Sequence, residues 1–183
     1  MQSFEEQIAT IEAKLMAWHK ENELSRRLAE VPTIGPIGAA MLTMKVTDPH
    51  AFGSGRNFSA WIGLTPKDHS TAGKLRLGVI TRAGDEALRA VLVAGATAVI
   101  QQVRKGRGKP SPWLADLVRR KEPKLAAVAL ANKTARIAWK LMVGGERYDA
   151  KRAAGRFVAP SGKTAPRSSR QGSFAPLAAT AMT

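Results

Sequence analysis

The sequence predicts a mainly α-helical protein, and three observations carry that prediction. Apolar residues recur three and four positions apart through most of the longer segments. Proline and small polar residues stand where those segments begin, as first-turn and cap positions require. Only residues 64–81 break the helical period, and there Leu75, Leu77 and Val79 alternate with Arg76, Gly78 and Ile80, the pattern of a short strand or hairpin.

The first element is expected to be one helix over residues 2–30. Phe4, Ile8, Ile11, Leu15 and Trp18 form a seam of the coiled-coil kind, which Asn22 and Ser25 continue and weaken. Pairing with a partner helix and packing on the chain's own domain fit that seam equally. Pro32 stops this helix and Pro36 starts the next, with Gly35 and Gly38 at the junction. Free amides at such a start suit phosphate oxygens, so Val31–Leu42 reads as a helix-hairpin-helix-like element; a plain turn between helices explains it as well. Asp48-Pro49 ends that helix, and a short one follows from Arg56 to Ile62 with Phe58, Trp61 and Ile62 facing inward. Residues 86–104 form a helix with Leu88, Leu92, Ala96 and Val99 buried and Gly95 permitting close packing. Ser111-Pro112 opens a helix that runs to Lys121. A last helix, Pro123 to Val143, ends at Gly144-Gly145. This divides the chain into a coiled-coil helix (1–30), a helical domain (31–150) and a disordered basic tail (151–183).

Composition narrows the chemistry. With no cysteine, disulfides and thiolate metal sites are excluded, and three histidines make an imidazole zinc site a poor expectation. No signal pattern opens the chain, and the apolar run Ala90–Ile100 is short for a bilayer, so a soluble cytoplasmic protein with no membrane partner is expected. Lysine and arginine total 29 against 14 acids, a net charge of +15. The acids concentrate in residues 1–30, whereas residues 151–183 hold bases and no acid at all. Such a surface suits a polyanion, nucleic acid first, more than it suits solubility alone. The backbone-binding candidates are Gly35, Gly38, Lys67, Arg82, Arg89, Arg119, Arg120 and Lys121, with contact to the loop that follows Gly63 or a surface salt bridge the alternatives for Arg89.

Chemistry is sought in the segment Gly63–Lys74. Ser70 stands between His69 and Lys74, with Arg76 beyond. A serine attacks phosphorus only when its proton can leave and the added negative charge is stabilised. His69 could accept the proton, and Lys74 and Arg76 could neutralise phosphate oxygens. Taken alone, a serine beside a histidine is more often structural or merely exposed.

The wider order of motifs says more. Pro32-x-Ile34-Gly35-Pro36 is followed by Phe58-x-x-Trp61-x-Gly63-Leu64-x-Pro66, then His69-Ser70-Thr71-x-Gly73-Lys74, then Gly84-Asp85-x-x-Leu88-Arg89-x-x-Leu92-x-x-Gly95-Ala96. This set resembles the C-terminal domain of bacterial insertion-sequence transposases that pair a Holliday-resolvase-like acidic domain with a serine-bearing domain, and the related invertases. The resemblance spans roughly residues 5 to 145. It implies that Ser70 is the catalytic serine, forming a covalent phosphoserine link to DNA during strand exchange. It also implies that the first helix assembles a homo-oligomer, and that in some branches a structured guide RNA is a partner. Ala72 stands where relatives often carry glycine. The resemblance places Mg2+ in the acidic domain, which this chain lacks, so no cofactor or metal ligand is expected here. The chain is expected to be part of a transposase acting at the bacterial nucleoid. A remnant that binds DNA and multimerises with an intact transposase, without catalysis, is the alternative.

Overall fold

A computed structural model describes residues 3–68 and 77–150. Among the described residues the fold is mainly α, with seven α-helices and one two-stranded sheet. The expectations for Ser70, His69, Lys74 and Arg76, and for the tail 151–183, lie outside the described residues.

The expected helix over 2–30 is two helices. Helix α1 (Phe4–Glu21) opens with a reciprocal cap between Ser3 and Glu6. It stops at Asn22, whose backbone is extended and whose side chain accepts from Ser25 N at 2.9 Å to start α2 (Glu23–Ala29). Asn22 is therefore a cap, since its oxygen satisfies an orphan donor of the new helix better than it would serve a seam. Ser25 turns inward instead and meets His19 Nδ1 at 2.7 Å, both groups buried. The seam is divided accordingly. Leu15 and Trp18 are half-buried, while Phe4, Ile8 and Ile11 are 85%, 56% and 66% exposed.

Residues 30–35 turn the chain into α3 (Pro36–Lys45), with Pro36 in the first turn as the sequence predicts. A 3₁₀ turn at Pro49–Ala51, capped by Asp48, leads to α4 (Gly55–Trp61). Phe58 and Ile62 are buried as expected, but Trp61 is 38% exposed. It stacks on Phe58 and leans on Phe52, so its ring covers the aromatic cluster from outside.

Strands β1 (Pro66–Asp68) and β2 (Leu77–Ile80) pair antiparallel with an irregular register. Helix α5 (Glu86–Arg104) follows, capped by Asp85, then α6 (Pro112–Arg120), capped by Ser111. Helix α7 (Pro123–Gly144) ends at Gly145 in the left-handed conformation. The buried stripe of α5 is Leu88, Leu92, Ala96 and Ile100; the fourth position is Ile100 rather than Val99, which is half-buried. At 19 residues α5 is long and apolar enough to cross a membrane by composition alone, yet this stripe faces the core formed with α7 and α3.

Alanine carries the central packing. Ala126, Ala127, Ala131, Ala135 and Ala138 of α7 are all buried, which lets α5 and α4 approach the α7 backbone. Gly95 completes the approach, because a Cβ there would lie 2.0 Å from the Thr33 carbonyl oxygen. Arg27 of α2 donates to the Gly145 carbonyl, tying α2 to the end of α7.

Candidate nucleic-acid interface

The sheet stands on a base formed by residues 61–65 and 81–84. Gly63 and Gly84 both have positive φ, +81° and +77°. Any side chain would fail there twice, on conformation and on space. A Cβ at Gly84 would lie 1.7 Å from the Trp61 carbonyl oxygen, and one at Gly63 would lie 2.2 Å from that of Ala83. The two strands of the base are thus pressed backbone to backbone. Thr81 N donates to Thr65 O at 2.9 Å, and Arg82 N to Gly63 O at 3.2 Å. Arg82 adopts φ +56°, unusual for a residue with a side chain.

Arg89 of α5 locks this base from beneath. Its Nη1 donates to Ile62 O at 3.0 Å and to Ala83 O at 3.2 Å, one carbonyl from each side. The guanidinium is a half-buried clamp on backbone at the foot of the loop, one of the contacts the sequence leaves open for Arg89. From α7, Asn132 Nδ2 donates to Leu64 O at 3.1 Å, and the Leu64 side chain is buried. Asp85 caps α5 through Leu88 N at 2.9 Å and pairs with Lys45 of α3 at 2.7 Å. The Lys45 ammonium, with the Leu88 amide, holds the Asp85 carboxyl below the usual carboxylate range. The two chain ends that lead into residues 69–76 are therefore fixed to α4, α5 and α7.

The remaining candidates fall in three places. Lys67 and Arg82 are exposed at the hairpin and its base. Gly35 is exposed at the N-terminus of α3 with open space about it, whereas Gly38 is buried, its Cα set against Val91 and Ile34. Gly38 thus serves packing between α3 and α5, while Gly35 is the more accessible of the two. Arg119, Arg120 and Lys121 are exposed where α6 meets α7. Arg119 and Arg120 each reach Asp116 at 2.8 Å, and these two arginines lower the Asp116 carboxyl, the Arg119 hydrogen bond most.

A further basic surface escaped the sequence reading. Lys133 and Arg136 of α7 are half-buried neighbours, and Arg56 of α4 lies close to Arg136. Burial lowers the pKa of Lys133 and of Arg136. Arg136 adds to the effect on Lys133, and Arg56 to that on Arg136. Like charges gathered this way raise the local positive potential. Nothing in the spacing announces the group, because Arg56 and Arg136 come together only through the docking of α4 on α7.

Among the described residues no group of three or more histidine, cysteine, aspartate or glutamate side chains could hold a metal ion. The described residues do not offer the carboxylate cluster a magnesium site needs.

Comparison with known proteins bears on the same elements. Residues 25–110 match the transposase IS116/IS110/IS902 family. That span runs from α2 through α3, α4, the hairpin and α5 to the basic turn before α6. The chain is 66% identical over 143 residues to a Sinorhizobium fredii protein named "Putative transposase y4pF/y4sB", covering 78% of this chain and 37% of the relative. It is 41% identical over 142 residues to the "Probable family 20 transposase" of Pseudomonas aeruginosa, covering 78% and 42%. It is 38% identical over 144 residues to the transposase for insertion sequence element IS1111A of Coxiella burnetii, covering 79% and 40%. The chain spans about two fifths of the length of these relatives.

Proposed function

We propose that this chain is the DNA-engaging, serine-bearing part of an insertion-sequence transposase. The observation that carries the reading is sequence similarity over more than 140 residues to proteins named transposases, in a chain of net charge +15. The fold supports it by giving the segment that holds Ser70 a rigid footing.

In this reading DNA is held through its backbone. Lys67, Arg82, Arg119, Arg120 and Lys121, with Arg56 and Arg136, neutralise phosphates, and the α3 amides beginning near Gly35 take a further one. Such contacts position the duplex and carry no sequence information. Ser70 Oγ attacks a phosphodiester phosphorus as His69 takes its proton. The new Oγ–P bond forms while the bond from phosphorus to the leaving strand's oxygen breaks, and that oxygen takes a proton. Lys74 and Arg76 offset the extra negative charge on the phosphate oxygens. Attack by a second strand's hydroxyl on the phosphoserine would reverse the bonding and release Ser70. Magnesium, where it takes part, is held by carboxylates other than those of the described residues. The exposed Phe4, Ile8 and Ile11 pair with the same face of a second copy.

Ser70→Ala tests the catalytic claim in a cellular transposition assay with the variant at the native locus. Excision and integration are expected to vanish, with affinity of the purified chain for duplex DNA changed less than twofold. Transposition at the wild-type level would overturn the role of Ser70 and leave a DNA-binding protein without serine chemistry.

A further inference from the structure

A cavity lined by described residues lies apart from β1 and β2. It occupies about 750 Å3 between the 31–35 turn, α5, the start of α6 and α7, within the range of small-ligand sites. Its floor is apolar, with Val99, Leu130 and Ile137. One wall is the indole of Trp113, over which Lys133 Nζ stands 4.1 Å from the ring centroid. Arg107 and Lys109 also line it, and no aspartate or glutamate stands among the described residues of its lining. Two buried hydroxyls, Thr33 and Thr134, meet there across 2.6 Å and hold the turn to α7.

An apolar slot with an aromatic wall, three cations and no acid suits a ligand that is flat and apolar on one side and anionic on the other. A nucleotide has that form: a base with π-faces joined to a phosphate. Aromatic stacking beside basic side chains is how single-stranded nucleic acid is held without sequence preference. Burial lowers the pKa of Lys133, with Arg136 adding to it, and a phosphate nearby would favour its charged form.

We infer that this cavity receives one unpaired nucleotide of the DNA strand, its base against Trp113 and its phosphate beside Lys109 and Lys133. The inference rests on the DNA reading above and adds to it a second site, separate from the hairpin. A strand opened or kinked for exchange would be captured there by the base it exposes.

The full-length chain can be titrated with two duplexes of one sequence, one fully paired and one with a single unpaired 2-aminopurine. The unpaired duplex is expected to bind roughly tenfold tighter, the scale of one base–aromatic stack, with its fluorescence quenched. Ala98→Phe, on the exposed side of α5, would fill the cavity and is expected to abolish both effects while leaving affinity for the paired duplex unchanged. Lys109→Glu, in an exposed loop, is expected to reduce the ratio of the two affinities several-fold, which covers the case in which the filling variant misfolds. Equal affinities for both duplexes, or a preference untouched by both variants, would overturn the inference while the DNA reading stands. Failure to bind either duplex would overturn both. Tighter binding to the same unpaired base in RNA than in DNA would overturn the assignment to the DNA strand.

Discussion

The base of the hairpin and the N-terminal half of α1 use similar residues to opposite ends. At the base, Leu64 and Ile62 are wholly buried, two glycines allow the backbones to touch, and Arg89 bonds both sides. In α1, Phe4, Ile8 and Ile11 keep most of their surface in water. Apolar side chains at helical spacing thus do not by themselves say what they pack against. The base is specified from within the chain, by contacts that admit one geometry. Among the described residues nothing covers the α1 stripe, and a heptad pattern left uncovered can direct assembly rather than folding.

That contrast can be broken most sharply at Gly84. Gly84→Ala is expected to destabilise the fold by about 3 kcal/mol, since its Cβ would collide with the Trp61 carbonyl at a positive φ. Denaturant unfolding checks it, and a loss below 0.5 kcal/mol would mean the base is looser than described. Arg89→Met should cost about 2 kcal/mol, because two carbonyl partners lose their donor while the aliphatic stem remains. Asp85 gives a smaller and pH-dependent effect. Asp85→Ala should cost about 1 kcal/mol by loss of the α5 cap, and Asp85→Asn less, because asparagine also caps. The folded carboxyl is lowered by Lys45, so its contribution is present above the ordinary carboxylate pKa and fades as pH falls through the lowered value. The stability difference between wild type and Asp85→Asn should therefore shrink in strong acid; an unchanging difference would remove the ion pair from the account. Smallest in stability is Ile11→Asp, expected within about 0.5 kcal/mol of wild type for the monomer. Its effect is on mass: light scattering should show a smaller species. An unchanged mass would return the stripe to intramolecular use.

Much of the helical frame was legible in the sequence because caps and prolines act locally. Pro36, Ser111-Pro112 and Gly145 mark boundaries that need no tertiary information. Asn22 misled because an amide on an apolar seam and an amide capping a new helix look alike in spacing. The structure separates them by the Asn22–Ser25 and His19–Ser25 bonds. Periodicity points Trp61 inward, but it cannot distinguish a ring in the core from one lying over it. The site was less legible still. Arg89 as a clamp, Lys133 over Trp113, and Thr33 with Thr134 join residues 6 to 101 positions apart, and no local pattern encodes such meetings.

The central claim is that the chain holds DNA by its phosphates, and the salt dependence of duplex binding tests it most directly. With about six phosphates neutralised, the logarithm of affinity should fall against the logarithm of salt with a slope near −5, alike for unrelated sequences. A slope near zero would contradict the account, since a protein of this charge cannot grip a phosphate backbone without releasing counterions.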